Sequence, residues 1–152
     1  MKNSIVWVLV LCFSGCIDQE KKGVENLVKF STWIDSINVI NEVESLTILF
    51  SSGFDVEEDV KVFINNEKIG DLQCETDYST GYCLDKESKL VSLEVDQSIL
   101  KVGDTLLLNV NNYNNAIIIP SGINKYNRLV IWKDKDNLGA SFERTGETLI
   151  LE

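Results

Sequence analysis

The chain has 152 residues, of which 44% are hydrophobic and 25% charged, and its formal net charge is −10 at pH 7. This composition is typical of a globular domain with a real core. A nucleic-acid partner is not expected, because a phosphate backbone requires a basic face and no basic cluster is larger than Lys21–Lys22. An acidic surface favours a soluble monomer.

The chain contains no histidine. This removes the usual general base, the commonest metal ligand and every nucleophile that is paired with histidine. Carboxylate chemistry of the glycosidase kind stays open in principle, but no spacing of Asp and Glu selects a pair. The sequence therefore predicts a noncatalytic protein without a cofactor.

The first fifteen residues have the anatomy of a secretory signal peptide. Lys2 provides a basic start, and an apolar run follows from Ile5 to Phe13. These nine residues are too few to span hydrocarbon as a helix, which takes about 20. We therefore expect the segment to direct export and not to form a permanent transmembrane anchor.

The residues FSGC at 13–16 resemble the bacterial lipobox, in which an aliphatic residue and two small residues precede a cysteine that becomes the lipidated amino terminus. Phe13 stands where Leu is usual. Small residues before the cysteine give the peptidase access to the backbone beside the modified thiol. Ordinary signal cleavage, with Cys16 unmodified, is the alternative.

The resemblance implies a bacterial lipoprotein with a signal peptide over residues 1–15. Lipid such as palmitate on Cys16 would hold the chain on a membrane, and residues 16–23 would form a flexible tether. Ile17 follows the cysteine, at the position where Asp would resemble the inner-membrane retention signal of enteric bacteria. Delivery to the outer membrane or the cell surface is therefore expected if the organism is Gram-negative.

Residues 24–152 are predicted to form one domain. After Val24, the apolar spacing fits a short helix and the β-branched residues fit an extended strand almost equally well. From Leu46 onward, short apolar or alternating runs between turn residues indicate an antiparallel all-β domain. The predicted strands are 46–51, 60–65, 68–75, 80–84, 90–96, 105–111, 116–119, 128–133, 140–143 and 148–151.

Three turns are predicted between these strands. Asn65 and Asn66 tolerate positive φ and suit a tight hairpin, and the segments 101–104 and 134–139 carry turn residues as well. Strands at this spacing are typical of a sandwich or barrel, and we favour an immunoglobulin-like β-sandwich. The cysteines that bracket a core tryptophan in true immunoglobulin domains are absent, so this prediction is by analogy.

Cys74 and Cys83 are predicted to form a disulfide, because an exported protein can keep them oxidised. The polar segment between them suggests a turn, so the bridge would join two neighbouring antiparallel strands. Two free thiols or a metal pair are the alternatives. Zinc would need two more strong ligands, and the chain has no histidine to offer.

Three tyrosines are candidate ligand contacts. Tyr113 stands among four asparagines in NNYNN, Tyr126 lies in the polar segment INKYNR, and Tyr78 lies between the paired cysteines. Exposed tyrosines with amide neighbours build many recognition surfaces, since the ring gives contact area at low entropic cost. Tyrosines that merely cover strand ends are the alternative. Predicted core aromatics are Trp132, Phe50, Phe63 and Phe142.

Two acidic segments offer oxygen ligands that a metal ion could use. Asp55, Glu57, Glu58 and Asp59 offer oxygen ligands suited to calcium, but consecutive carboxylates usually repel one another and face water. The segment 134–139 resembles the start of an EF-hand loop, but Leu138 stands at the third ligand position. We predict a solvated loop, a hairpin turn and no metal.

These observations favour a noncatalytic binding or structural module in the bacterial cell envelope, with an envelope protein or a glycan as its contact. The first alternative is an inhibitor or immunity-type lipoprotein, in which the loop stapled by Cys74 and Cys83 blocks an enzyme. A carboxylate-based hydrolase acting on envelope glycans is the second.

Overall fold

Eleven β-strands and two short 3-10 helices make up the part of the chain that the computed structural model describes, residues 26–34, 43–55 and 57–145. The strands are β1 Asn26–Leu27, β2 Phe30–Ile34, β3 Ser45–Phe50, β4 Glu58–Ile64, β5 Glu67–Asp77, β6 Tyr82–Leu84, β7 Ser92–Asp96, β8 Thr105–Val110, β9 Tyr113–Ile118, β10 Arg128–Asp134 and β11 Asn137–Arg144. The 3-10 helices are Gln97–Ile99 and Ile123–Lys125. No described residue belongs to a helix long and apolar enough to cross a membrane.

The strands form two sheets that share one hydrophobic core, so the predicted all-β sandwich is confirmed. One sheet has the order β1, β9, β8, β4, β5, β6, and the other has the order β2, β11, β10, β3, β7. The purely antiparallel prediction is wrong, since β1 pairs with β9, β2 with β11 and β3 with β10 in parallel. Whether the sandwich is immunoglobulin-like stays a prediction.

The amino-terminal part of the domain is extended. The alternative of a short helix is wrong for residues 26–34, which form β1 and β2. The backbone of β2 pairs with that of β11, with Phe30 opposite Ala140. This long-range pairing favours a strand over a helix, which the local spacing of apolar residues could not decide. Residues 35–42 and the predicted strand 148–151 lie outside the described residues.

Alternating strands place their apolar side chains in the core as predicted. Val60, Val62 and Ile64 are buried in β4, and Leu129 and Ile131 are buried in β10. This is the period-2 pattern of a strand with one face on the core. Among the predicted core aromatics, Phe50 and Phe142 are fully buried, whereas Phe63 and Trp132 are half-buried.

Two asparagine pairs form two-residue hairpins. Asn65 and Asn66 have φ of 47° and 73° between β4 and β5, as predicted. Asn111 and Asn112 repeat this with φ of 48° and 70° between β8 and β9. A two-residue hairpin with positive φ at both positions matches the twist of the strands, and asparagine tolerates that conformation.

The other predicted turns are also present, with one change of length. Segment 101–104 is a turn in which the Asp104 amide donates to the Lys101 carbonyl at 3.0 Å. The turn predicted over 134–139 contains only Lys135 and Asp136, because Asn137 already pairs with Asp134 at the start of β11. It is a hairpin turn, as the sequence favoured.

Two glycines allow close approaches beside the β10–β11 hairpin. A Cβ on Gly139 would lie 2.4 Å from Cε2 of Trp132, so the indole lies directly over the glycine. A Cβ on Gly53 would lie 1.8 Å from the carbonyl oxygen of Lys133, and Gly53 has a φ of +93°. No side chain fits there. The loop that precedes β4 is therefore held against the end of β10.

Candidate functional site

A pocket of about 490 Å³ lies where the β8–β9 hairpin of one sheet faces the β10–β11 hairpin of the other. We call it the sandwich-end pocket. The first sheet contributes Asn26, Val110, Asn111, Tyr113 and Asn115. The second sheet contributes Lys133, Asp136, Asn137 and Leu138.

Backbone pairing positions the polar side chains of this pocket. The turn at Asn111 and Asn112 reverses the chain, so that Tyr113 begins β9 opposite Val110. Strand β1 lies parallel to β9, with Asn26 opposite Asn115. Asn26 and Asn115, which are far apart in the sequence, thus lie side by side at the β1 edge of the first sheet.

The amide side chains line the pocket at different depths. Asn115 is only 4% exposed, and its Nδ2 donates to the backbone carbonyl of Tyr113 at 3.2 Å. Asn26, Asn111 and Asn137 are exposed. The deep amide is therefore fixed by the strand, while the outer three present donors and acceptors to solvent.

Tyr113 presents its ring beside these amides. Its side chain is 71% exposed, although it stands at the start of a regular strand. The predicted strands leave residues 112–115 between them, whereas in the structure Asn111 and Asn112 form the turn and the other three residues of NNYNN belong to β9. A strand position holds the tyrosine more firmly than a loop would.

The positive charge in the pocket wall is already compensated. Lys133 donates from Nζ to Oε1 of Glu58, and this ion pair joins β10 of one sheet to β4 of the other. The two side chains are only 17% and 9% exposed. Oε2 of Glu58 is buried without a hydrogen-bond partner among the described residues. Asp136 remains as the exposed charge of the pocket.

The structure does not bring the three candidate tyrosines together. Tyr113 lines the sandwich-end pocket, whereas Tyr78 lies in the turn between β5 and β6. Tyr126 is 8% exposed and its ring lies 5.9 Å from that of Phe142. Its interpretation as an exposed contact is therefore wrong, because the ring packs in the core.

Tyr78 belongs to a separately ordered turn. It is 75% exposed, and its hydroxyl donates to Oδ1 of Asp55 at 3.1 Å. This hydrogen bond to the carboxylate raises the pKa of Tyr78 above its ordinary value. Asp77 accepts from the Ser79 amide at 2.8 Å and from the Ser79 hydroxyl, which lowers the pKa of Asp77.

Cys74 and Cys83 lie on neighbouring antiparallel strands, as the sequence predicted. Thr76 stands opposite Cys83, so Cys74 is the diagonal neighbour on the same face. Both cysteines are fully buried, and both are free thiols in the structure. Their side chains are in hydrogen-bond contact. The disulfide itself stays a prediction.

The contact between the two thiols separates their acidities. The hydrogen bond to Cys83 and then burial raise the pKa of Cys74. The same hydrogen bond lowers the pKa of Cys83, and the contact of its sulfur with the Thr76 hydroxyl adds to this lowering.

The four carboxylates of the acidic segment bind four different partners. Asp55 accepts from Tyr78, Glu57 lies 3.5 Å from Lys86, Glu58 pairs with Lys133, and Asp59 accepts from Gln73 at 3.4 Å. They do not converge on one point. Among the described residues, no group of three or more acidic or cysteine side chains is arranged to hold a metal ion.

The sandwich-end pocket is suited to reversible binding. Its asparagine side chains can both donate and accept hydrogen bonds, and its tyrosine offers a flat apolar surface. Sequence reasoning missed Asn26, Asn137 and Leu138 as parts of one site, because strand pairing between distant segments assembles it. No family model, curated protein or solved structure matches the chain.

Proposed function

We propose that the chain is a membrane-anchored bacterial lipoprotein whose β-sandwich is a noncatalytic binding module of the cell envelope. The anchor is supported by the signal-peptide anatomy of residues 1–15 and by the lipobox resemblance at 13–16. Lipid on Cys16 holds the chain, because each buried methylene contributes about 0.8 kcal/mol and two or more acyl chains give stable attachment. The membrane is the outer membrane if the organism is Gram-negative.

The sandwich-end pocket is the observation that carries the binding role. It combines four asparagines with an exposed tyrosine, a composition that serves recognition well. Asn26 lines this pocket and is ten residue steps from Cys16. Ten steps span at most about 35 Å in any conformation of the chain. The pocket would act close to the membrane surface.

Two exposed tyrosines provide a matched test of this role. The full chain carrying an affinity tag is recovered from envelopes, and bound material is analysed by sugar analysis and mass spectrometry. We expect Tyr113→Ala to lose the envelope component that the wild type retains, since the pocket loses its ring. Tyr78→Ala, which removes an equally exposed ring, should retain that component. Retention by Tyr113→Ala would remove the proposed role of the pocket.

An inhibitor or immunity-type lipoprotein is the second candidate, and the turn after β5 favours it. Tyr78 is exposed there, while the hydrogen bonds of Asp77 to Ser79 and of Tyr78 to Asp55 order the turn in advance. A preorganised loop loses little entropy when it enters an enzyme. In the same recovery experiment, this candidate predicts a stoichiometric enzyme that is lost only with Tyr78→Ala.

The cysteine pair is proposed to be oxidised in the exported protein. The two buried side chains are already in contact, and an oxidising compartment would join them. Reduction is then expected to lower the free energy of unfolding, because the disulfide no longer restricts the unfolded chain. The loss should be on the order of 2 to 3 kcal/mol, the size expected for a short loop. Denaturation with and without reductant measures this. Titration of two free thiols in the unreduced exported protein would contradict it.

A further inference from the structure

We infer that the sandwich-end pocket binds an uncharged saccharide. This inference rests on the proposed function, because it names the ligand class of the same site. The cavity of about 490 Å³ lies within the size range of small-molecule sites, roughly 300 to 1,000 Å³. It is large enough for one or two sugar rings of a longer chain.

The amide groups of the pocket match hydroxyl groups. Each asparagine side chain offers one acceptor oxygen and two donor hydrogens, and each sugar hydroxyl both donates and accepts. Asn26 and Asn115 lie side by side on β1 and β9, and Asn137 faces them from β11. The amides of both sheets can therefore donate to and accept from the hydroxyls of a ring held between them.

An apolar surface accompanies the amides. The ring of Tyr113 is 71% exposed, and Val110 and Leu138 also line the cavity. A pyranose ring carries C–H groups on its faces and hydroxyls around its rim, so it stacks on an aromatic face while its rim reaches polar groups. The pocket likewise combines one aromatic ring, on which such a face can stack, with amides that can reach the hydroxyls.

Charge compensation favours a neutral ligand. Lys133 is paired with Glu58, and both side chains are largely buried, so none of the described residues that line the pocket is an unpaired cation able to hold a carboxylate or phosphate. Asp136 and the net charge of −10 also repel anions. A cationic ligand could pair only with the exposed carboxylate of Asp136, and such an exposed ion pair adds little to the free energy of binding.

The test uses the full chain in a detergent without a sugar headgroup. The probes are tetrasaccharides of glucose, mannose and N-acetylglucosamine, with tetragalacturonate as the charged comparison, measured by calorimetry and by amide NMR shifts. We expect at least one neutral probe to bind with a Kd of about 1 mM or tighter. Tetragalacturonate should bind at least about tenfold more weakly.

Variants assign that binding to the pocket. Tyr113→Ala should weaken the best probe by at least about tenfold, and Tyr113→Phe should preserve most of the affinity, because the ring and not the hydroxyl makes the stacking contact. Tyr78→Ala should change nothing. Absence of binding by every neutral probe, or equal binding by Tyr113→Ala, overturns the inference.

The two proposals fail in different ways. An envelope component that is lost with Tyr113→Ala, together with no neutral saccharide binding, leaves the binding module in place and overturns only the ligand class. A component that both tyrosine variants retain overturns the role of the pocket itself.

Discussion

Lys133→Ala is expected to lower the free energy of unfolding by about 3 to 5 kcal/mol. The lysine is the ion-pair partner of Glu58, and both side chains lie largely away from solvent. Removing it leaves a buried carboxylate whose Oε2 already has no hydrogen-bond partner among the described residues. The desolvation cost of that charge is then no longer offset.

Denaturant unfolding of wild type and variant measures this effect. Lys68→Ala is the matched control, since its partner Asp71 is exposed and the pair lies in water, so little change is expected. The double variant Glu58→Leu with Lys133→Met should recover most of the loss, because apolar side chains replace both charges. A Lys133→Ala variant as stable as the Lys68→Ala control would show that this ion pair does not hold the two sheets together.

The ion pair also bears on binding, because it sets the charge of the pocket wall. Glu58 neutralises Lys133, and the structure puts this pair between β4 and β10. The sequence predicts a solvated loop for Glu58 and the neighbouring carboxylates, and this is wrong for Glu58, which is 8% exposed at the start of β4. Its burial could not be read locally, since its partner is 75 residues away.

Many of the strands and turns could be predicted because their sequence signals are local. Alternation at Val60, Val62 and Ile64 marks one buried face, and the pair Asn65 and Asn66 marks a hairpin. Each signal depends on residues within a few positions. Adjacent strands joined by tight turns are therefore readable from sequence.

The parallel pairings could not be predicted in this way. β3 pairs with β10, and residues of the two strands are more than 80 positions apart, as in Thr47 opposite Arg128. No turn residue connects such strands, so only the assembled core decides which edge they join. The antiparallel prediction was wrong for these three strand pairs.

The candidate site was predictable only in part. The asparagines around Tyr113 indicated recognition, and that tyrosine does line a pocket. Tyr126 stands in a segment of similar polarity, yet its ring packs against Phe142 in the core. Composition alone does not separate them, because burial of one aromatic ring depends on the neighbouring strand.

Cys16→Ala is expected to abolish lipid attachment completely. The thiol is the only atom of the lipobox-like segment that can carry diacylglycerol, so no neighbouring side chain replaces it. Without two or more acyl chains the acidic domain has no stable hold on a bilayer. The binding module would then lose its place beside the envelope surface.

The most direct measurement is incorporation of labelled palmitate into wild type and Cys16→Ala, with membrane fractionation of each. The matched variant is Cys12→Ala, which removes the other cysteine of the signal segment. The proposed lipoprotein predicts label and membrane sedimentation for wild type and Cys12→Ala, and neither label nor sedimentation of the mature chain for Cys16→Ala. Equal labelling of Cys16→Ala, or an unlabelled wild type, would contradict a module anchored through Cys16.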